Sequence, residues 1–187
     1  MEELPYQLYH AEKWDELHEC ISTLGYMSRQ FTTNNIHEFI LYWRTLKQAD
    51  ASKYKISQAY IEQIMGSMAE KAEMAVMLQW AYWQMFRNDI IRLTNICISY
   101  LDDLDAAYEL VEFLIRMCDQ MADGDTSEER CSFHNLAGMI CIRKKEYIQA
   151  LKEYREGLSL AVHAYGEDDL KITSYLCNIA DVYHSIG

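Results

Sequence analysis

The chain has 187 residues, half of them hydrophobic, enough to bury a substantial core in one domain or a short repeat array. Its 17 Lys and Arg against 29 Asp and Glu give a net charge of −12, a field that repels phosphate backbones and anionic lipid, so neither nucleic acid nor membrane is expected as a partner. One proline and seven glycines are too few for a sheet protein with frequent tight turns, and an all-α fold is expected.

From the start, Leu4 and Leu8, then Trp14, Leu17, Ile21 and Leu24, recur at three- and four-residue steps and predict a helical hairpin, with Pro5 tolerable in a first turn. Gly25 and the polar run 32–35 are expected to interrupt it. Ile36, Phe39, Ile40, Trp43 and Leu46 predict a third helix, ended by the small polar cluster 49–52. Residues 1–50 therefore read as a helical neck module, and 51–187 as a separate repeat region.

Between Tyr54 and Met121, three or four further helices are expected. Their apolar faces run through Ile56, Tyr60 and Ile64, through Met74, Met77, Leu78, Ala81, Trp83 and Phe86, and through Ile91, Ile96 and Tyr100. Asp123 to Ser127 reads as a loop, with Thr126 and Glu129 at the spacing of a capping box for the next helix.

Self-similarity then appears as three triplets: Asn95-Ile96-Cys97 with Tyr100, Asn135-Leu136-Ala137 with Ile140, and Asn178-Ile179-Ala180 with Tyr183. They start 40 and 43 residues apart. In each, a small residue follows an aliphatic one and a large apolar residue comes three later, which lets two helices approach closely and interlock one turn on. The second unit continues with Tyr147, Ala150, Tyr154, Gly157 and Leu158, the packing face of a partner helix; Ala107, Val111 and Leu114 follow the same order after a turn at Asp102 to Asp105.

These residues resemble the tetratricopeptide repeat. The long spacing, with the linker 164–169, resembles the extended variant of kinesin light chains and the nephrocystin family. Phe133 and Leu176 stand where that family has tryptophan, and Asp169 and Leu170 where its linker has proline. The resemblance implies a right-handed α-solenoid of antiparallel helix pairs over 88–122, 131–166 and an incomplete unit 173–187. A second likeness joins Leu4-Pro5-Tyr6-Gln7-Leu8 with Trp14 and Leu17 to the neck of nephrocystin-like signalling ATPases, which would make the chain a regulatory repeat arm; it contains no G-x-x-x-x-G-K-[ST] phosphate loop.

The same resemblance implies that the first helix of each pair lines a concave groove, where Asn95, Asn135 and Asn178 bind the backbone of a protein or peptide partner, with His134, Gly138, Asp181 and His184 beside them. A scaffold or adaptor function is expected, with no enzyme activity and no cofactor. Cys131 with His134 is the weaker, catalytic alternative, needing a thiolate activated by the imidazole. The histidines form no H-E-x-x-H, and His18 with Cys20 is too sparse for a metal site. Methionines 65, 68, 74, 77, 85, 117 and 121 are expected to fill core gaps rather than form an adaptable surface.

The six cysteines, at 20, 97, 118, 131, 141 and 177, form no C-x-x-C pair and are expected as reduced, buried thiols in a cytoplasmic protein. The first residues carry no secretory signal, and Arg87 and Asp89 break the apolar run 75–91 short of a membrane span. Leu176, Ile179 and Tyr183 are expected to lack a covering helix. The chain then reads as a fragment of a longer protein, or one that associates end to end through its last helix.

Overall fold

A computed structural model describes residues 3–33, 35–70, 76–120 and 127–187, without the side chains of 70, 76–80 and 82. Among the described residues every regular element is helical and there is no strand, as the scarcity of turn formers requires. None of the helices is long and apolar enough to cross a membrane. The chain divides into two compact units, Met1–Ala106 and Ala107–Gly187.

Unit 1 contains α1 (Glu3–His10), α2 (Trp14–Ile21), α3 (Leu24–Thr33), α4 (Ile36–Asp50), α5 (Ile56–Glu70), α6 (Val76–Ile96) and a π-helical turn, Cys97–Leu101. Its core is rich in rings. Trp43, Phe39 and Tyr60 are fully buried, with the Trp43 and Tyr60 centroids 5.8 Å apart. Leu17 and Ile21 of α2, Met27 of α3, Leu46 of α4, Ile64 of α5 and Ile90 and Leu93 of α6 are buried as well. The neck module 1–50 is therefore not a unit of its own: α3 packs on α5 and α6, and α4 on the π-helical turn. The division falls at 106/107, inside α7 (Leu104–Gln120).

Two local expectations change here. Gly25 lies within the first turn of α3, and the break falls at Ser22 and Thr23. Hydroxyls explain it: Ser22 Oγ donates to His18 O at 2.6 Å, and Thr23 Oγ1 accepts the N–H of Tyr26 at 3.2 Å. The 102–105 turn is shorter than expected, because Asp102 adopts a left-handed conformation (φ 46°) and α7 begins at Leu104, capped by the Asp103 carboxylate on the N–H of Ala106. The Thr126 to Glu129 capping box, most of the 123–127 loop, and Met74 and Met121 lie outside the described residues, as do the side chains of Met77 and Leu78.

Unit 2 takes in most of α7 and adds α8 (Ser127–Arg143), α9 (Tyr147–Tyr165) and α10 (Leu170–Ile186). Helices α8 and α9 form an antiparallel hairpin, and α10 packs along α9. Lys145 closes the α8–α9 turn at positive φ, Gly166 the turn after α9, and the Asp169 side chain caps α10 by accepting the N–H of Lys171. The packing face expected for α9 is the one used. Ala150, Tyr154 and Gly157 are buried, and the Tyr154 ring lies against Gly138. Tyr175 of α10 rests on Gly157 and donates its hydroxyl to Cys131 O at 2.8 Å.

All six cysteines are free. Cys97, Cys118, Cys131 and Cys141 are buried, but Cys177 is exposed and Cys20 half-buried. Of the described methionines, Met117 fills the core while Met65 and Met85 are exposed. Leu176 and Tyr183 are uncovered as expected. Ile179 is not, because it is half-buried against Cys141, Ala150, Tyr154 and Val182.

Candidate functional site

Two of the three repeated asparagines meet in unit 2. Asn135, mid-way along α8, and Asn178, mid-way along α10, are half-buried, and Asn178 Nδ2 donates to Asn135 Oδ1 at 2.8 Å. An amide offers two donor hydrogens and an oxygen with two lone pairs. The bond uses one hydrogen of Asn178 and one lone pair of Asn135. The Asn135 NH2 group and the Asn178 carbonyl take no part in it. Asn95, the third of the set, is exposed near the end of α6 in unit 1.

The neighbours divide. Asp181 and His184 are exposed on α10. Gly138, expected on the groove side, is buried under the Tyr154 ring, so its role is close approach of α9. His134, expected beside it, turns away into a polar cluster. Its Nδ1 lies 2.9 Å from Glu153 Oε2, while Glu153 Oε1 accepts from Tyr108 Oη at 2.9 Å and from Gln149 Nε2 at 2.6 Å. Gln149 Nε2 also reaches Tyr108 Oη at 3.0 Å.

This cluster ties α7, α8 and α9 together, and the side chains of His134 and Glu153 are nearly buried. Burial works against ionisation of Glu153. The bonds from His134, Tyr108 and Gln149 outweigh it and hold the carboxyl below its ordinary range. Burial, and next the bond to Glu153, push the Tyr108 phenol up. A carboxylate on Nδ1 also fixes the neutral ring in the Nδ1–H tautomer. The sequence singled out His134 but not its partners. The signal was one carboxylate, Glu153, beside Tyr154 on the packing face of α9.

Cys131 and His134 each bond elsewhere. The Cys131 thiol is buried and bonds to Glu128 O at 3.1 Å, whereas His134 engages Glu153. Among the described residues, no three His, Cys, Asp or Glu side chains converge as metal ligands. His18 instead packs edge-on against Trp43, centroids 5.6 Å apart.

No protein-family model matches the sequence, and comparison with curated proteins and with solved structures gave no match. The functional reading therefore stands on the residues themselves.

Proposed function

We propose that the chain is a protein-interaction scaffold of the tetratricopeptide type, which holds an extended segment of another protein against the first helices of its repeats. The observation that carries this reading is the Asn135–Asn178 pair. Two half-buried amides at equivalent positions 43 residues apart are joined by one bond, which leaves the NH2 group of Asn135 and the carbonyl of Asn178 outside it. That is the complement of a peptide main chain, which presents one C=O and one N–H per residue whatever its side chains. Asn95 supplies a third amide in the same sequence setting.

The test is selection of peptides from a random displayed library by the native chain and by Asn135→Ala/Asn178→Ala in parallel. The reading expects peptides enriched by the native chain to lose at least about tenfold in affinity for the variant, the scale of a few lost main-chain bonds. Equal affinities, with both proteins melting at the same temperature, would refute it.

A further inference from the structure

Helices α8 and α10 have the same design at a 43-residue offset, but only one of them is covered. The stripe of α8 facing α9 runs through His134, Gly138 and Cys141: His134 bonds Glu153 of α9, Gly138 receives the Tyr154 ring, and Cys141 packs with Ala150 and Tyr154. Beside it, Phe133, Ala137 and Ile140 are 6%, 0% and 1% exposed. The counterparts on α10 are Cys177, Asp181 and His184, with Leu176, Ala180 and Tyr183 beside them, and all six are exposed, Leu176 at 52% and Tyr183 at 50%. Helix α10 meets α9 through its other side, by Ile172, Tyr175 and Val182.

We propose that this open stripe of α10 is a docking site for a basic amphipathic helix of another protein, seated on α10 as α9 is seated on α8. The apolar side is prepared: Ala180 permits close approach, and Tyr183 is fixed by Arg155, whose Nη2 donates to its hydroxyl. The polar side specifies charge. Where α8 has Gly138 under a tyrosine ring, α10 has Asp181, whose side chain is exposed. A helix that covers Asp181 with a ring would strand a buried, unpaired carboxylate. One that places Lys or Arg there, at the position of Tyr154 in α9, satisfies it. A second copy of this chain fits poorly, since each copy carries −12 and two α10 stripes face to face would oppose Asp181 with Asp181. Leu176, Ala180 and Tyr183 lie across α10 from Asn178, and only Asp181, three residues on, adjoins it, so the asparagine variant separates this site from the asparagine pair.

The probe is a fluorescent peptide with the sequence of residues 147–165 carrying Glu153→Ala and Tyr154→Lys, titrated into the full chain and followed by anisotropy. We expect saturable binding. It should weaken at least about tenfold with Asp181→Lys, recover when the peptide instead carries Tyr154→Glu, and vanish with Leu176→Glu. Asn135→Ala/Asn178→Ala should bind as tightly as the native chain. The substituted side chains are exposed, and unchanged thermal melts verify that each variant is folded. The proposal is overturned if the peptide does not saturate, if it binds the native chain and Asp181→Lys equally, or if sedimentation reveals a dimer of the native chain that Leu176→Glu dissolves.

Discussion

The Tyr154 ring lies where a side chain on Gly138 would begin: a Cβ there would stand 2.5 Å from Cε1, 2.7 Å from Cδ1 and 2.8 Å from Cζ. The ring cannot yield easily, because it is buried with Cys141, Ala150 and Val182. Gly138→Ala gains about 1 kcal/mol of helix propensity and loses about 1–3 kcal/mol to overpacking, so a net destabilisation of about 1 kcal/mol is expected. Gly157→Ala should cost more. Its Cβ would meet Tyr175 Cε1 at 2.8 Å, His134 Cβ at 3.2 Å and the Cys131 carbonyl oxygen at 3.3 Å, and the last is backbone. Urea unfolding of the two variants gives the order directly, and a more stable Gly157→Ala would show that α9 can shift on α8.

The Glu153 cluster predicts a defined pH dependence. Its carboxyl is held below the ordinary range in the folded chain, so its contribution is present above the unfolded-state value, 4.5 for the free side chain, and is lost as pH falls through the folded value. Glu153→Gln should therefore destabilise the chain by about 2 kcal/mol at pH 6, the worth of hydrogen bonds to a charged group. The gap between native and variant unfolding free energies should narrow steadily below pH 4.5. A gap independent of pH would mean that the Glu153 carboxyl titrates alike in the folded and the unfolded chain.

These two clusters mark how far the sequence could be read. The 43-residue recurrence located α8, α9 and α10, and the order Ala150, Tyr154, Gly157 named the face of α9, because small-to-large complementarity is local and periodic. The role of Gly138 and the direction of His134 were not legible. A helical residue beside an asparagine looks the same whether it faces a groove or a carboxylate such as Glu153, 19 positions away. The boundary between units was hidden for a similar reason. It falls inside α7, with no break in composition, and long-range packing of α3 and α4 onto residues 56–101 decides it. Gly25 misled because glycine is tolerated in a first helical turn, while the hydroxyls of Ser22 and Thr23 set the actual break.

The π-helical turn depends on a clasp from α4. Arg44 Nη2 donates to Tyr100 O at 2.8 Å, and Lys47 Nζ reaches Leu101 O at 3.4 Å, Asp102 O at 3.5 Å and the Asp103 carboxylate at 3.0 Å. These cations serve carbonyls that a helix end leaves unsatisfied, and they sit at the favourable end of its dipole. The Lys47–Asp103 pair is partly exposed, so solvent screening limits its share. Lys47→Met should cost about 1 kcal/mol overall. Its clearer signature is local: hydrogen exchange at the amides of 101–103 should accelerate while α9 and α10 keep their protection. Uniform acceleration across the chain would assign Lys47 to global stability instead.

Tyr60 provides the corresponding test at alkaline pH. Its hydroxyl is fully buried and donates to Ile21 O at 2.7 Å, joining α5 to the end of α2. Burial holds the phenol well above its ordinary value of 10.0. The unfolded chain releases this proton at about 10 while the folded chain keeps it, so the stabilisation is complete below that pH and shrinks as pH rises above it. Tyr60→Phe keeps the ring and removes the bond, which should cost about 1–2 kcal/mol at pH 7. Above pH 10 the native chain should lose stability faster than Tyr60→Phe and the difference should narrow, since only the native chain has this proton to lose. Parallel curves from pH 8 to 11 would place the Tyr60 hydroxyl in contact with water.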